Sequence, residues 1–228
     1  MIIYEGLSLI DKKPIVVIMT GGKNGTSSNK KTGSMSQVYI LRSDIPPVEA
    51  AKTGEDKAIC GECPHRPSTG GSCYVNVGQG PRAVYQAYKK GSYTQEYPRI
   101  AGRGKSIRLG AYGDPGAVES WVWNALVREA KMWTGFTHQY NEELKDKCMA
   151  SADSREEALS FQAKGWKTFR VKLPENELIP GEILCLNETA GIQCRDCGLC
   201  NGRGKKNIAI NIHGLEHKIK KFKLWSIQ

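Results

Sequence analysis

Apolar residues along the chain fall into short runs of strand length, separated by stretches of helical spacing and by two polar segments that carry most of the cysteines. Residues 14–19 (PIVVIM) form a continuous apolar run short enough for a buried strand. Residues 37–41 (QVYIL) predict the next, closed by Asp44 and the Pro46-Pro47 pair. Between them, residues 21–36 (GGKNGTSSNKKTGSMS) have no apolar period and read as a mobile loop without phosphate-loop spacing. Pro81 suits the first position of a helix that runs through Val84, Ala87 and Tyr88 to Gly91.

Residues 106–112 (SIRLGAY) predict a strand, and Gly113-Asp114-Pro115 turns it into a helix with Asp114 as N-cap. Val118, Trp121, Val122, Ala125, Leu126, Ala130 and Trp133 mark one apolar helix face, so Trp121, Trp123 and Trp133 read as core or near-core residues. Further strands are expected at 134–139, 148–152, 166–171 and 207–212. A Ser154…Glu157 capping box opens a short helix that ends at Gly165. The tail (HKIKKFKLWSIQ) alternates basic and apolar residues and reads as an exposed edge strand or an arm.

Strand–helix alternation of this kind implies a parallel sheet covered by helices. The expected fold is therefore α/β, a partial or open (β/α) barrel of about six mostly parallel strands. It is read as one domain over residues 1–228, with an N-terminal cysteine loop at 58–80 and a cysteine-rich metal-binding insert at 185–206.

Composition changes this picture in two ways. The 33 Lys and Arg against 23 Asp and Glu give a net charge of +10, which favours contact with nucleic acid, nucleotides or other polyanions. No apolar stretch reaches the ~18 residues that span a bilayer, and the run at 15–19 does not fit a signal peptide. A cytoplasmic protein without membrane contact is expected, and there eight cysteines serve more readily as metal ligands than as disulfide partners.

Cys194, Cys197 and Cys200 stand at successive two-residue intervals, with Cys185 upstream. Three thiolates on one tight loop plus a remote fourth suit a 4Fe-4S cluster; zinc, held by a subset of these cysteines with His213, is the alternative. Cys60, Cys63 and Cys73 form a looser second set, for which His65 or Cys148 is the candidate fourth ligand. Cys148 is equally readable as a small buried hydrophobe, and a mixed zinc site using Cys60, Cys63 and two C-terminal cysteines is a further option.

The stretches CYVNVGQGP (73–81), RLGAYGDPGAV (108–118) and CRDCGLC (194–200) resemble a group of phage-encoded cysteine-rich proteins, a likeness running from about Val38 to Gly214. It implies a phage or prophage origin and hence the host cytoplasm. In layout the chain is also distantly similar to radical S-adenosylmethionine enzymes, whose cluster loop follows the first barrel strand and whose Gly-rich acidic motif ends the second. That resemblance implies that Cys60, Cys63 and Cys73 bind a cluster with one open iron. It also implies that Tyr112, Gly113 and Asp114 hold S-adenosylmethionine. The cysteine gaps of two and nine residues depart from that family's three and two. A likeness to queuine-type transglycosylases would instead make Asp114 and Asp153 nucleophile and base, beside a zinc site of Cys194, Cys197, Cys200 and His213.

Three functions follow as expectations: an iron–sulfur enzyme acting on nucleotides or nucleic acid, a zinc-stabilised nucleic-acid-binding protein without catalysis, and a protein that docks on a host partner. Basic stretches at 99–108, 203–206 and 218–223, the last with Phe222 and Trp225 nearby, are the features that favour nucleic acid. His138, at the end of a strand, reads as a structural histidine.

Overall fold

The computed structural model describes residues 1–21 and 29–226 and shows a mixed α/β fold with two five-stranded sheets. Most of the glycine- and lysine-containing stretch expected to form a mobile loop, residues 22–28, lies outside the described residues. The first sheet contains β1 (Ile2–Leu7), β2 (Pro14–Thr20), β3 (Ser36–Arg42), β4 (Ser106–Tyr112) and β5 (Met132–Thr134), in sequence order. The second contains β6 (Phe136–Thr137), β7 (Met149–Ala152), β8 (Thr168–Lys172), β9 (Glu182–Leu184) and β10 (Asn207–Asn211), ordered β6-β7-β8-β10-β9.

Only β1–β2 and β2–β3 pair antiparallel; every other pairing in both sheets is parallel. The sheets meet where Gly135 separates β5 from β6. A Cβ added there would sit 2.7 Å from the Cys148 sulfur and 2.8 Å from the Lys147 carbonyl oxygen, so the backbone passes closer than any side chain allows. Among the described residues the strands close into no barrel.

The helices are α1 (Pro47–Thr53), α2 (Lys57–Cys60), α3 (Gly80–Lys89), α4 (Pro98–Gly102), α5 (Ser120–Val127), α6 (Arg155–Ala163), α7 (Leu186–Ala190), α8 (Cys194–Cys197) and α9 (Glu216–Trp225). The apolar run of β2 is buried along its centre, as a strand covered on both faces requires, and shares one core with Trp123, Leu126, Leu109 and Ile40.

Several expectations are corrected. The apolar face expected to run from Val118 to Trp133 is interrupted: a 3₁₀ turn at Pro115–Ala117 precedes α5, which stops at Val127, and Trp133 belongs to β5. Trp123 is fully buried, whereas Trp121 is 47% exposed and packs edge-on to Tyr4. The tail is a helix rather than a strand or free arm, because Leu215, Ile219 and Phe222 recur at helical spacing and Phe222 is buried. β1 and β9 were not anticipated; both lie at sheet edges. No helix among the described residues is long and apolar enough to cross a membrane.

Candidate metal centre

In parallel sheets the loops leaving the carboxyl ends of the strands build the site. The chain leaves β3 at Arg42, which is buried and ion-paired to Asp44 at 2.9 Å and Glu55 at 2.7 Å. It then passes through α1 and α2 into the first cysteine loop. Arg66 anchors that loop by donating to the Gly61 carbonyl at 2.7 Å, and it lies 3.3 Å from Asp56. Burial pushes the Asp56 carboxyl up to about 6, against the pull of Arg66.

The turn after β4 locks onto this loop. The Asp114 N–H donates to the Ile59 carbonyl at 2.6 Å, beside Cys60. The Asp114 side chain caps the 3₁₀ turn by accepting from the Gly116 N–H at 2.8 Å. It also accepts from the Thr137 hydroxyl at 2.6 Å and from the His138 N–H at 2.6 Å. With both oxygens engaged, Asp114 acts as a clamp between β4 and β6. Gly113 has φ +80°, and an added Cβ would lie 2.7 Å from the Ile40 Cβ, so its glycine is explained by packing. The Tyr112 hydroxyl is buried without a partner; burial raises its pKa well above the usual phenol value, and Cys60, Asp56 and Cys73 add to the rise. Gln139 completes the lock by wedging against Gly61 and Gly116 and donating to the Cys60 carbonyl at 3.2 Å.

Asp153, directly after β7, has only 3% of its side chain exposed. Its Oδ1 lies 2.8 Å from His65 Nε2 and its Oδ2 lies 3.1 Å from His138 Nε2. The outer nitrogen of His65, Nδ1, sits 2.5 Å from Ser72 Oγ, and Cys63 lies in electrostatic reach of His138. Burial raises the Asp153 pKa, but the neighbouring His138 and His65 outweigh it and hold the carboxyl well below its usual range. Burial alone would lower the His138 pKa; Asp153 and Cys63 reverse this and carry it well above the usual imidazole value. Ligand atoms of His65, His138 and Asp153 all lie within 4.8 Å of one another.

Helix α9 covers this side of the loop. Phe222 and Trp225 place their rings 5.6 and 5.1 Å from the His65 ring, and Lys218 donates to the carbonyls of Cys73 and Val75. A cavity of about 590 Å³ opens beside Asp153, lined among others by Ser154, Arg170, Lys172, Asn176 and Phe222.

Of the expected ligands, the structure brings Cys60, Cys63 and Cys73 into mutual electrostatic reach. Burial raises the Cys60 thiol pKa, and Cys73, Asp56 and Cys63 raise it further. Cys200 is likewise raised by burial and then by Cys194, Cys185 and Cys197. The second group is tied to the sheet: Cys194 donates its N–H to the Lys31 carbonyl, Cys200 accepts from the Gly135 N–H, and Cys185 donates to the Ala209 carbonyl. Arg108, donating to the Tyr74 hydroxyl, lies in electrostatic reach of Cys194 and Cys200.

Cys148 is fully buried, and the charges that act on it are Asp114, Lys147 and Asp146, not other cysteines. His213 is exposed and bonds the Asn211 carbonyl, with its ring near Tyr74. All eight cysteines are free thiols, and among the described residues no three of their sulfurs lie within 4.8 Å of one another.

In the sequence His65 and Asp153 stand out only separately, and His138 only as a structural histidine. The signal available was that His138 and Asp153 both stand at the ends of consecutive strands. Compared with known protein families, with characterised proteins and with solved structures, the chain has no match.

Proposed function

We propose that the chain is a phage-encoded iron–sulfur enzyme built on an open, radical-S-adenosylmethionine-like barrel and acting on a nucleotide or nucleic acid. One observation carries the reading: the three-cysteine loop between the first two parallel strands folds back onto the end of the second, so that Asp114 bonds Ile59 next to Cys60. The resemblance to that enzyme class requires such a juxtaposition.

The donor chemistry fits. Buried thiols that raise one another's pKa ionise readily only next to a cation. A single zinc ion, with Zn–S bonds of about 2.3 Å, gathers its thiolates more tightly than these cysteines stand, whereas an iron–sulfur core spans a wider group. Cys60, Cys63 and Cys73 would hold one cluster, and Cys185, Cys194, Cys197 and Cys200 a second. The orphaned Tyr112 hydroxyl near Cys60 is a polar group left for a bound ligand. A reduced cluster of this kind supplies one electron for the cleavage of S-adenosylmethionine. Asp114 serves as a positioning residue that fixes His138 and the cysteine loop. The exposed Lys220, Lys221 and Lys223 on α9 favour an anionic substrate.

The test is reductive cleavage of S-adenosylmethionine by anaerobically purified protein, read as 5′-deoxyadenosine release. The reading expects turnover that is abolished in Cys60→Ser and Cys73→Ser. Absence of 5′-deoxyadenosine from protein that contains iron–sulfur clusters would remove the radical-enzyme assignment.

A further inference from the structure

We infer that His65, His138 and Asp153 bind one divalent transition-metal ion of the zinc, iron(II) or manganese class, separate from any metal held by the cysteines. This site does not rest on the proposed function.

The geometry is that of a metal-ligand set. Bonds of about 2.0–2.2 Å from nitrogen and oxygen to a common ion put neighbouring ligand atoms roughly 3 Å apart. Here the carboxylate oxygens of Asp153 lie 2.8 and 3.1 Å from the two Nε2 atoms. His65 Nε2 is buried and makes no hydrogen bond, even to the Asp153 oxygen 2.8 Å away. A ring nitrogen that close to a carboxylate but not aimed at it along an N–H is what sharing a cation demands, and a simple His–Asp ion pair leaves it unexplained.

The outer bond of the His65 ring agrees: its Nδ1 is held by Ser72 Oγ. Ligating histidines are oriented in this way by their second nitrogens. The Asp153 N–H is fixed by Glu157 Oε2 at 2.8 Å, and the His138 N–H by Asp114. The three ligands come from three separate segments, the cysteine loop and the ends of β6 and β7, so no local turn accounts for their meeting. Two imidazoles and one carboxylate leave coordination positions open, and Asp153 also lines the 590 Å³ cavity, from which a water or substrate oxygen can reach the ion. Through His138 the site abuts Cys63.

Cobalt(II) is a suitable probe. After equilibrium dialysis of the full chain against Co²⁺, wild-type protein should retain one equivalent more cobalt than His65→Ala, His138→Ala or Asp153→Asn, with iron content the same in all four. Equal cobalt in wild type and the three variants would overturn the site. A second readout needs no substitution: the cobalt-loaded wild type should show two hyperfine-shifted exchangeable imidazole N–H resonances in its proton NMR spectrum, and their absence would overturn it equally. Iron content and 5′-deoxyadenosine report on the cysteine sites, so a failure there is distinguishable from a failure here.

Discussion

At the scale of single residues, the site is held by side chains whose local roles also bind distant segments. Asp114 is legible as an N-cap from its neighbours Gly113 and Pro115, and it does cap the 3₁₀ turn. Its bonds to Thr137 and His138 come from more than twenty residues away and leave no local trace in the sequence. Gly113 faces the Ile40 backbone with φ +80°, so Gly113→Ala should destabilise the fold by about 2 kcal/mol in urea unfolding. Asp56 gives a pH signature. Its folded-state value of about 6 lies above the ~3.9 of an unfolded aspartate, so the folded chain holds the proton more tightly. The stability this contributes is present below pH ~4 and is lost as pH rises through about 6. Wild-type stability should therefore fall relative to Asp56→Asn by on the order of 2 kcal/mol between pH 4 and 7, measured by paired urea titrations.

At the scale of elements, the apolar pattern located β2, β3, β4, β7, β8 and β10 to within a residue or two, because buried strands carry dense apolar runs. It failed where one period imitates another. The tail alternates basic and apolar residues over a few positions, yet Leu215, Ile219 and Phe222 fall on one helical face, and tertiary burial of Phe222 decides the outcome. The edge strands β1 and β9 have little two-sided burial to mark them. Helix α9 in turn shields the cysteine loop through Phe222, Trp225 and Lys218. Phe222→Ala should cost about 3 kcal/mol and raise amide hydrogen exchange across residues 63–75 while β2 and β3 stay protected.

At the scale of the molecule, the strand–helix alternation carried the α/β class and the parallel pairing, while the division into two sheets at Gly135 depends on a close backbone approach that no periodicity reveals. The cysteine spacings separated two groups, and the structure keeps them separate: Cys60, Cys63 and Cys73 on the loop after β3, and Cys185, Cys194, Cys197 and Cys200 between β9 and β10. The histidine–aspartate cluster was invisible as a unit because its members are 65, 138 and 153 in number and meet only when β6 and β7 lie side by side.

The central claim is that both cysteine groups hold iron–sulfur clusters, and metal analysis with a visible spectrum of anaerobically purified protein tests it most directly. Roughly eight irons per chain are expected, falling to about four in Cys197→Ser and likewise to about four in Cys60→Ser. Colourless protein carrying zinc in place of iron would contradict the account and leave the cysteines as structural ligands.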